Sequence, residues 1–166
     1  MIFVVDIDNT VANNQTRMDY ILKDTIPPEN ISMFNSEEMI MQDTPIKIAQ
    51  MFFQNLKNAK HPIFDQLIFL TGRGENQRKV TEAWLCKNLC LSPRGFILLM
   101  RPTECEKVTG ADFKKTVIEG MVKLPEFRNQ SFTFIDDDVA ACKTYSQYGL
   151  ALRAPNAWFF LVHDLV

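Results

Sequence analysis

Asp6 and Asp8 flank a single isoleucine, and Thr10 follows two residues later. Sixty-one residues on comes Thr71-Gly72-Arg73-Gly74, and near the end of the chain three acids run together, Asp136-Asp137-Asp138. Each group directly follows a short apolar run. Carboxylates gathered in one place repel one another unless a cation sits among them or some hold a proton. Hard oxygen donors favour Mg²⁺, which binds through a few carboxylates and keeps waters and substrate phosphate as its other ligands. A lone aspartate after a strand commonly caps the next helix or forms an Asx turn. Three acidic or hydroxyl groups at the ends of successive strands call for more than capping.

The elements that must position these groups alternate along the chain. Ile2-Phe3-Val4-Val5, Leu67-Ile68-Phe69-Leu70, Phe96-Ile97-Leu98-Leu99 and Phe132-Thr133-Phe134-Ile135 read as strands buried on both faces, with Leu150-Ala151-Leu152 as a weaker fifth. Helical stripes fill the gaps. Thr44 reads as an N-cap with Pro45 at the first helical position, followed by Ile46, Ala49, Phe53 and Leu56. Glu75 to Leu89 carries Val80, Ala83 and Trp84; Phe113 to Val122 carries Phe113, Val117, Ile118 and Met121; Val139 to Tyr148 follows the acidic triplet. Strands joined by helices of this length predict right-handed crossovers and an α/β fold, a Rossmann-like parallel sheet. In such a sheet ligands bind beyond the carboxyl ends of the strands, where the acids and Thr71 fall. Residues from about 12 to 42 are too many for an ordinary loop, and they predict a small helical cap inserted after the first strand of a single domain spanning 1–166.

Composition narrows the class. The chain has 166 residues, 46% of them hydrophobic, which is ample for one packed core. The 18 basic and 20 acidic residues leave a net charge of -2, so contact with nucleic acid would need a local patch; Arg73, Arg78, Lys79 and Arg101 are the candidates for a basic rim. Asp6 and Asp8 cut the first apolar run far short of a signal peptide or membrane span, and a cytoplasmic protein without membrane contact is expected. Cys86, Cys90, Cys105 and Cys142 have no zinc-ribbon spacing and read as free thiols. His61, expected in a surface loop, and His163 stand beside no nucleophile elbow.

Asp6-Ile7-Asp8-Asn9-Thr10 resembles the DxDxT motif of haloacid dehalogenase-type phosphatases. Leu70-Thr71-Gly72-Arg73 is similar to their second motif, and Phe134-Ile135-Asp136-Asp137 to the fourth. The third motif is a lysine near a helix start. Phe113 before it and Val117 and Ile118 after it favour Lys114, with Lys115 as the alternative. The resemblance implies a phosphomonoesterase in which Asp6 is the nucleophile and Asp8 the general acid and base. It implies Mg²⁺ held by Asp6, the backbone carbonyl of Asp8 and Asp137, with Asp136 assisting. Thr10, Thr71 and Gly72 would meet the phosphate, and Lys114 would offset its charge. An acid at the position of Asp8 favours phosphatase chemistry over dehalogenation.

A closer resemblance runs through Arg17 with Tyr20, Asp43-Thr44-Pro45-Ile46, Thr71-Gly72-Arg73-Gly74, Trp84-Leu85, Leu99-Met100-Arg101-Pro102 and Asp112-Phe113-Lys114. It is to the phosphatase domain of polynucleotide kinase/phosphatase enzymes. This makes Arg73 and Arg101 candidate substrate contacts and implies a nucleotide or a 3′-phosphate end of a polynucleotide as substrate. A phosphorylated small metabolite, or a module that binds phosphate without catalysis, are the alternatives. No P-loop sequence is present, and no obligate protein partner is evident.

Overall fold

Ile2–Val5 is apolar throughout and β-branched at all but Phe3, a composition suited to a strand covered on both faces, and it forms β1 with every residue buried. The structure, a computed structural model, describes residues 1–21, 27–56, 64–105 and 107–163; His61 lies outside them. The remaining sheet strands are β4 (Gln66–Gly74), β5 (Ile97–Arg101), β6 (Phe132–Asp136) and β7 (Leu150–Arg153). They pair in parallel in the order β5-β4-β1-β6-β7. The chain passes from β1 to β4 and β5 on one side, then returns across β1 to β6 and β7 on the other. That reversal opens a crevice beyond the carboxyl ends of β1, β4 and β6, the general place for a ligand in such a sheet. Asp6, Thr71 and Asp136 stand there.

Alternation along β1 divides the core into two layers. Phe3 and Val5 join Phe52, Phe53, Phe69, Trp84 and Trp158 on one face, under α4 (Lys47–Leu56), α5 (Arg78–Leu89) and α8 (Asn156–His163). Ile2 and Val4 join Ile68, Leu70, Phe113, Ile118 and Phe134 on the other, under α6 (Gly110–Met121) and α7 (Val139–Tyr145). No helix among the described residues is long and apolar enough to cross a membrane. Gly149 has to be glycine for a packing reason: a Cβ there would lie 2.4 Å from the Phe132 carbonyl oxygen as the chain enters β7.

Three details differ from the sequence reading. Thr44 and Pro45 do not cap a helix; they form β3 (Thr44–Pro45), antiparallel to β2 (Ala12–Asn13). The Ile46 N–H extends that pairing by donating to the Val11 carbonyl at 2.8 Å, and α4 begins at Lys47. Ala83 is exposed, because the buried face of α5 runs through Val80, Thr81, Trp84, Leu85 and Leu89. The helix after the acidic triplet ends at Tyr145 rather than Tyr148. The paired β2 and β3 bracket α1 (Gln15–Met18), α2 (Pro28–Phe34) and α3 (Glu37–Gln42). Ser36 starts α3 by accepting from the Met39 N–H, with Glu37 and Glu38 in its first turn, and α3 anchors the group through buried Met39 and Ile40.

Candidate active site

The turn after β1 is held by its own backbone. The Ile7 carbonyl accepts the N–H groups of Thr10, Val11 and Ala12, and Asn9 takes the left-handed conformation (φ 57°) that asparagine tolerates better than most residues. From outside, the buried Trp158 indole donates to the Thr10 carbonyl at 2.9 Å. Asp6 therefore sits on a fixed turn. The Thr10 hydroxyl donates to its Oδ2 at 3.1 Å.

Lys114 approaches from α6. Its Nζ lies 2.6 Å from Asp6 Oδ1 and 2.9 Å from Asp136 Oδ2. That reach depends on a close contact between backbones. A Cβ on Gly72 would lie 3.2 Å from the Gly110 Cα, so paired glycines let the first turn of α6 abut β4. Thr109 starts the helix by accepting from the Asp112 N–H. Lys115 points to solvent, with Glu119 at 3.9 Å. The structure thus separates the two lysines and brings Lys114 to the acids.

Asp6, Asp136 and Asp137 each offer a carboxylate oxygen, and these oxygens lie within 4.8 Å of one another. Burial pushes the Asp6 carboxyl up to about 7 despite the pull of Lys114, with Asp136 and Asp8 adding to the rise. Burial and then Asp136 raise Asp137 as well. Although burial opposes it, Asp6 and Asp136 raise the ammonium of Lys114 and keep it charged. Three carboxylates thus face one cation, and the set carries more negative charge than Lys114 balances. An all-oxygen group with surplus negative charge fits a hard divalent cation such as Mg²⁺. Asp138 is otherwise engaged: its Oδ1 accepts the N–H groups of Ala140 and Ala141 and caps α7.

Asp8 turns away from that group while still lining the same cleft. Its Oδ1 accepts Arg17 Nη2 and Arg73 Nη2, each at 2.8 Å, and its Oδ2 accepts Arg73 Nε at 3.0 Å. Asn14 Nδ2 adds a contact to Oδ1 at 3.2 Å. Burial disfavours the charge on Asp8, yet Arg73, then Arg17 and Lys114, hold its carboxyl below the ordinary value. The same two arginines grip a second buried carboxylate, Asp43. Arg17 binds it with Nε at 2.7 Å and Nη2 at 2.8 Å, and Arg73 Nη2 lies at 2.9 Å.

The other expected contacts divide. Gly72 lines the acid cleft. Thr71 is fully buried beneath it, its Oγ1 accepting the Arg73 N–H at 3.2 Å. Arg73 is not free for substrate, since its side chain is 3% exposed and clamped between Asp8 and Asp43. Arg101 stands apart from the acids: it donates to the Val108 carbonyl and lines a neighbouring cavity of about 290 Å³ with Asn35, Asn76, Gln77 and Ile31. The expected basic rim shrinks accordingly. Arg78 pairs with Glu75 and Glu82, Arg73 is buried, and Lys79 and Arg101 remain.

Motif reading overlooked the shared role of Arg17 and Asp43. The signal was present as an arginine eleven residues after Asp6 and an aspartate before the segment that rejoins β2, but spacing alone does not pair residues 26 apart.

No family model and no curated protein matches the chain. Among solved structures, the HAD domain of effector protein Lem4 from Legionella pneumophila aligns with 99% of this chain and 93% of that one, at a TM-score of 0.55 and 14% identity. L-2-haloacid dehalogenase from Xanthobacter autotrophicus, solved with chloropropionic acid covalently bound, aligns with 90% of this chain and 74% of that one, at 0.50 and 10%. At such identity the likeness speaks for architecture, and the five-stranded parallel sheet described above has the Rossmann-like fold of haloacid dehalogenase-type domains.

Proposed function

We propose that the protein is a Mg²⁺-dependent phosphomonoesterase working through an aspartyl-phosphate. The observation that carries this reading is the meeting of Asp6, Lys114, Asp136 and Asp137 in one cleft that Asp8 also lines. An Asp6 oxygen attacks phosphorus and the ester P–O bond breaks. Asp8, a carboxylate at rest, takes up a proton as the substrate binds and passes it to the leaving oxygen, then takes one from the water that attacks the same phosphorus, which releases phosphate and restores Asp6. Lys114 offsets charge on the transferring group and holds Asp6 in place. Mg²⁺ bound by Asp6, Asp136 and Asp137 would stabilise negative charge on the phosphoryl oxygens.

For substrate, we infer a nucleotide or a 3′-phosphate end of a polynucleotide. The support is the resemblance of the motifs, together with the amide- and arginine-lined cavity whose wall at Gly74 lies two residues from Gly72 of the acid cleft. Asparagine, glutamine and arginine are the side chains that pair with nucleobase edges. The test is release of phosphate from an aryl phosphate with Mg²⁺, and its loss with a chelator or in Asp6→Asn. No turnover across a panel of phosphomonoesters would sink the reading. Comparing a 3′-mononucleotide, a 3′-phosphorylated oligonucleotide and sugar phosphates then decides the substrate; preference for sugar phosphates would replace nucleotides with a small metabolite.

A further inference from the structure

Two arginines and two aspartates form a closed, buried arrangement beside the acid cleft. Arg17 and Arg73 are 2% and 3% exposed in their side chains, Asp43 is 0% exposed, and Asp8 opens to the cleft at 29%. Each arginine bridges both carboxylates, so two positive charges meet two negative ones. Charge-assisted pairs of this kind impose tight geometry, because guanidinium is planar and its donors are fixed. Asp8 and Asp43 do not play equal parts. Asp8 lines the cleft and has a reactive role to fill, whereas Asp43 lies wholly behind the arginines.

Asp43 is itself held from two sides. The Trp84 indole N–H donates to its backbone carbonyl at 2.8 Å, which ties it to the buried face of α5. Its neighbours Thr44 and Pro45 pair with Asn13 and Ala12, so its backbone runs on into the short ribbon that brackets α1, α2 and α3. Arg17 reaches one further partner, the Phe34 carbonyl at 3.1 Å, with its guanidinium 4.6 Å from the centre of the Phe34 ring. Without the Asp43 carboxylate, Arg17 would lose its bidentate partner and Arg73 one of its two. Both would then be free to take other positions against Asp8.

We propose that Asp43 is a positioning residue for this reaction, acting at second hand: it aims Arg17 and Arg73 so that they fix the place of the Asp8 carboxylate beside the cleft, from which it relays a proton to the leaving group. The assignment rests on the phosphatase reading above. It makes a specific demand on kinetics. Proton transfer to the leaving oxygen matters most when that oxygen is a poor leaving group and little when it departs unaided. Loss of Asp43 must therefore fall hardest on alkyl phosphomonoesters.

The experiment compares an alkyl phosphate with nitrophenyl phosphate in wild type and Asp43→Asn, which keeps the shape and removes the charge. The expected result is a fall in kcat of about 10²-fold on the alkyl ester and under about tenfold on the aryl ester, with KM little altered. An equal fall on both esters, or none, overturns the assignment. Should Asp43→Asn fail to fold, Trp84→Phe removes the indole N–H that holds the Asp43 backbone, together with part of the buried ring; the same unequal loss supports the proposal and an equal one overturns it. A readout independent of turnover is exchange of the Arg17 Nε–H proton, which Asp43 accepts, protected in wild type and exposed in Asp43→Asn; retained protection overturns the clamp. A wild type that releases no phosphate from any ester refutes the phosphatase reading itself, and the Arg17 Nε–H signal then decides whether Asp43 holds that arginine.

Discussion

Lys114 Nζ lies between two carboxylates, 2.6 Å from Asp6 and 2.9 Å from Asp136, and burial, with Asp136 and Asp8 adding to it, raises the Asp6 carboxyl to about 7. Removing Lys114 takes away the one cation that pairs with Asp6 among the described residues. Lys114→Ala is expected to abolish turnover and to lower stability by about 3–5 kcal/mol in metal-free buffer, the usual cost of stranding buried charge. Chemical denaturation measures the loss, and saturating Mg²⁺ should recover part of it by supplying positive charge to the same carboxylates. Lys115→Ala, on the solvent side of the same helix, should shift stability by less than about 0.5 kcal/mol. The contrast between neighbouring lysines follows from which side of α6 faces β4, a matter of about 100° of helix rotation.

At the scale of elements, α6 and α7 bring their side chains to the site in different ways. The Gly72–Gly110 approach sets how near α6 can come to β4, and through it the reach of Lys114. Gly72→Val would push its side chain against the Gly110 backbone. It is expected to cost about 1–3 kcal/mol, with a fall in kcat as Lys114 withdraws, seen by thermal melts and aryl phosphate turnover. For α7 the controlling residue is Asp138, the third acid of the triplet. Its carboxylate caps the helix, so Asp138→Ala should cost about 1 kcal/mol while phosphate release persists. Asp137→Ala should show the reverse, little change in stability and loss of Mg²⁺-supported turnover. An Asp138→Ala enzyme as inactive as Asp137→Ala would move Asp138 from cap to ligand.

For the molecule as a whole, the proposed metal would couple to folding through the surplus of carboxylates at the end of the sheet. A cation that binds the native cleft stabilises it by mass action, by about 2.7 kcal/mol at a hundredfold excess over Kd. For a chain of 166 residues this corresponds to a rise in Tm of roughly 5–10 °C between chelator and saturating Mg²⁺. Asp137→Asn should shrink the rise, and a Tm indifferent to Mg²⁺ in the wild type would remove the metal from the proposed chemistry.

Local patterning settled the sheet and the placement of its acids. Apolar β-branched runs ending at Asp6, Thr71 and Asp136 specify buried parallel strands, and a parallel sheet gathers its strand ends on one side, so those residues had to come near one another. Which of the adjacent acids gathers with Asp6 and which caps, which of two lysines reaches Asp6, and where Arg73 points were decided by packing between elements distant in the chain. Arg73 is the clearest case. As a sequence feature it is a cation after a strand, as suited to a phosphate as to a carboxylate. In the folded chain it meets Asp8 from 65 residues away and Asp43 from 30, and two buried carboxylates hold it more strongly than open solvent would. Likewise Thr44 and Pro45 carry the local signature of a helix start, but Ala12 and Asn13 offered them a ribbon partner, and long-range pairing outweighed the cap preference. Periodicity and spacing act over a few residues, while charge pairing and backbone approach depend on which distant segments the core brings together.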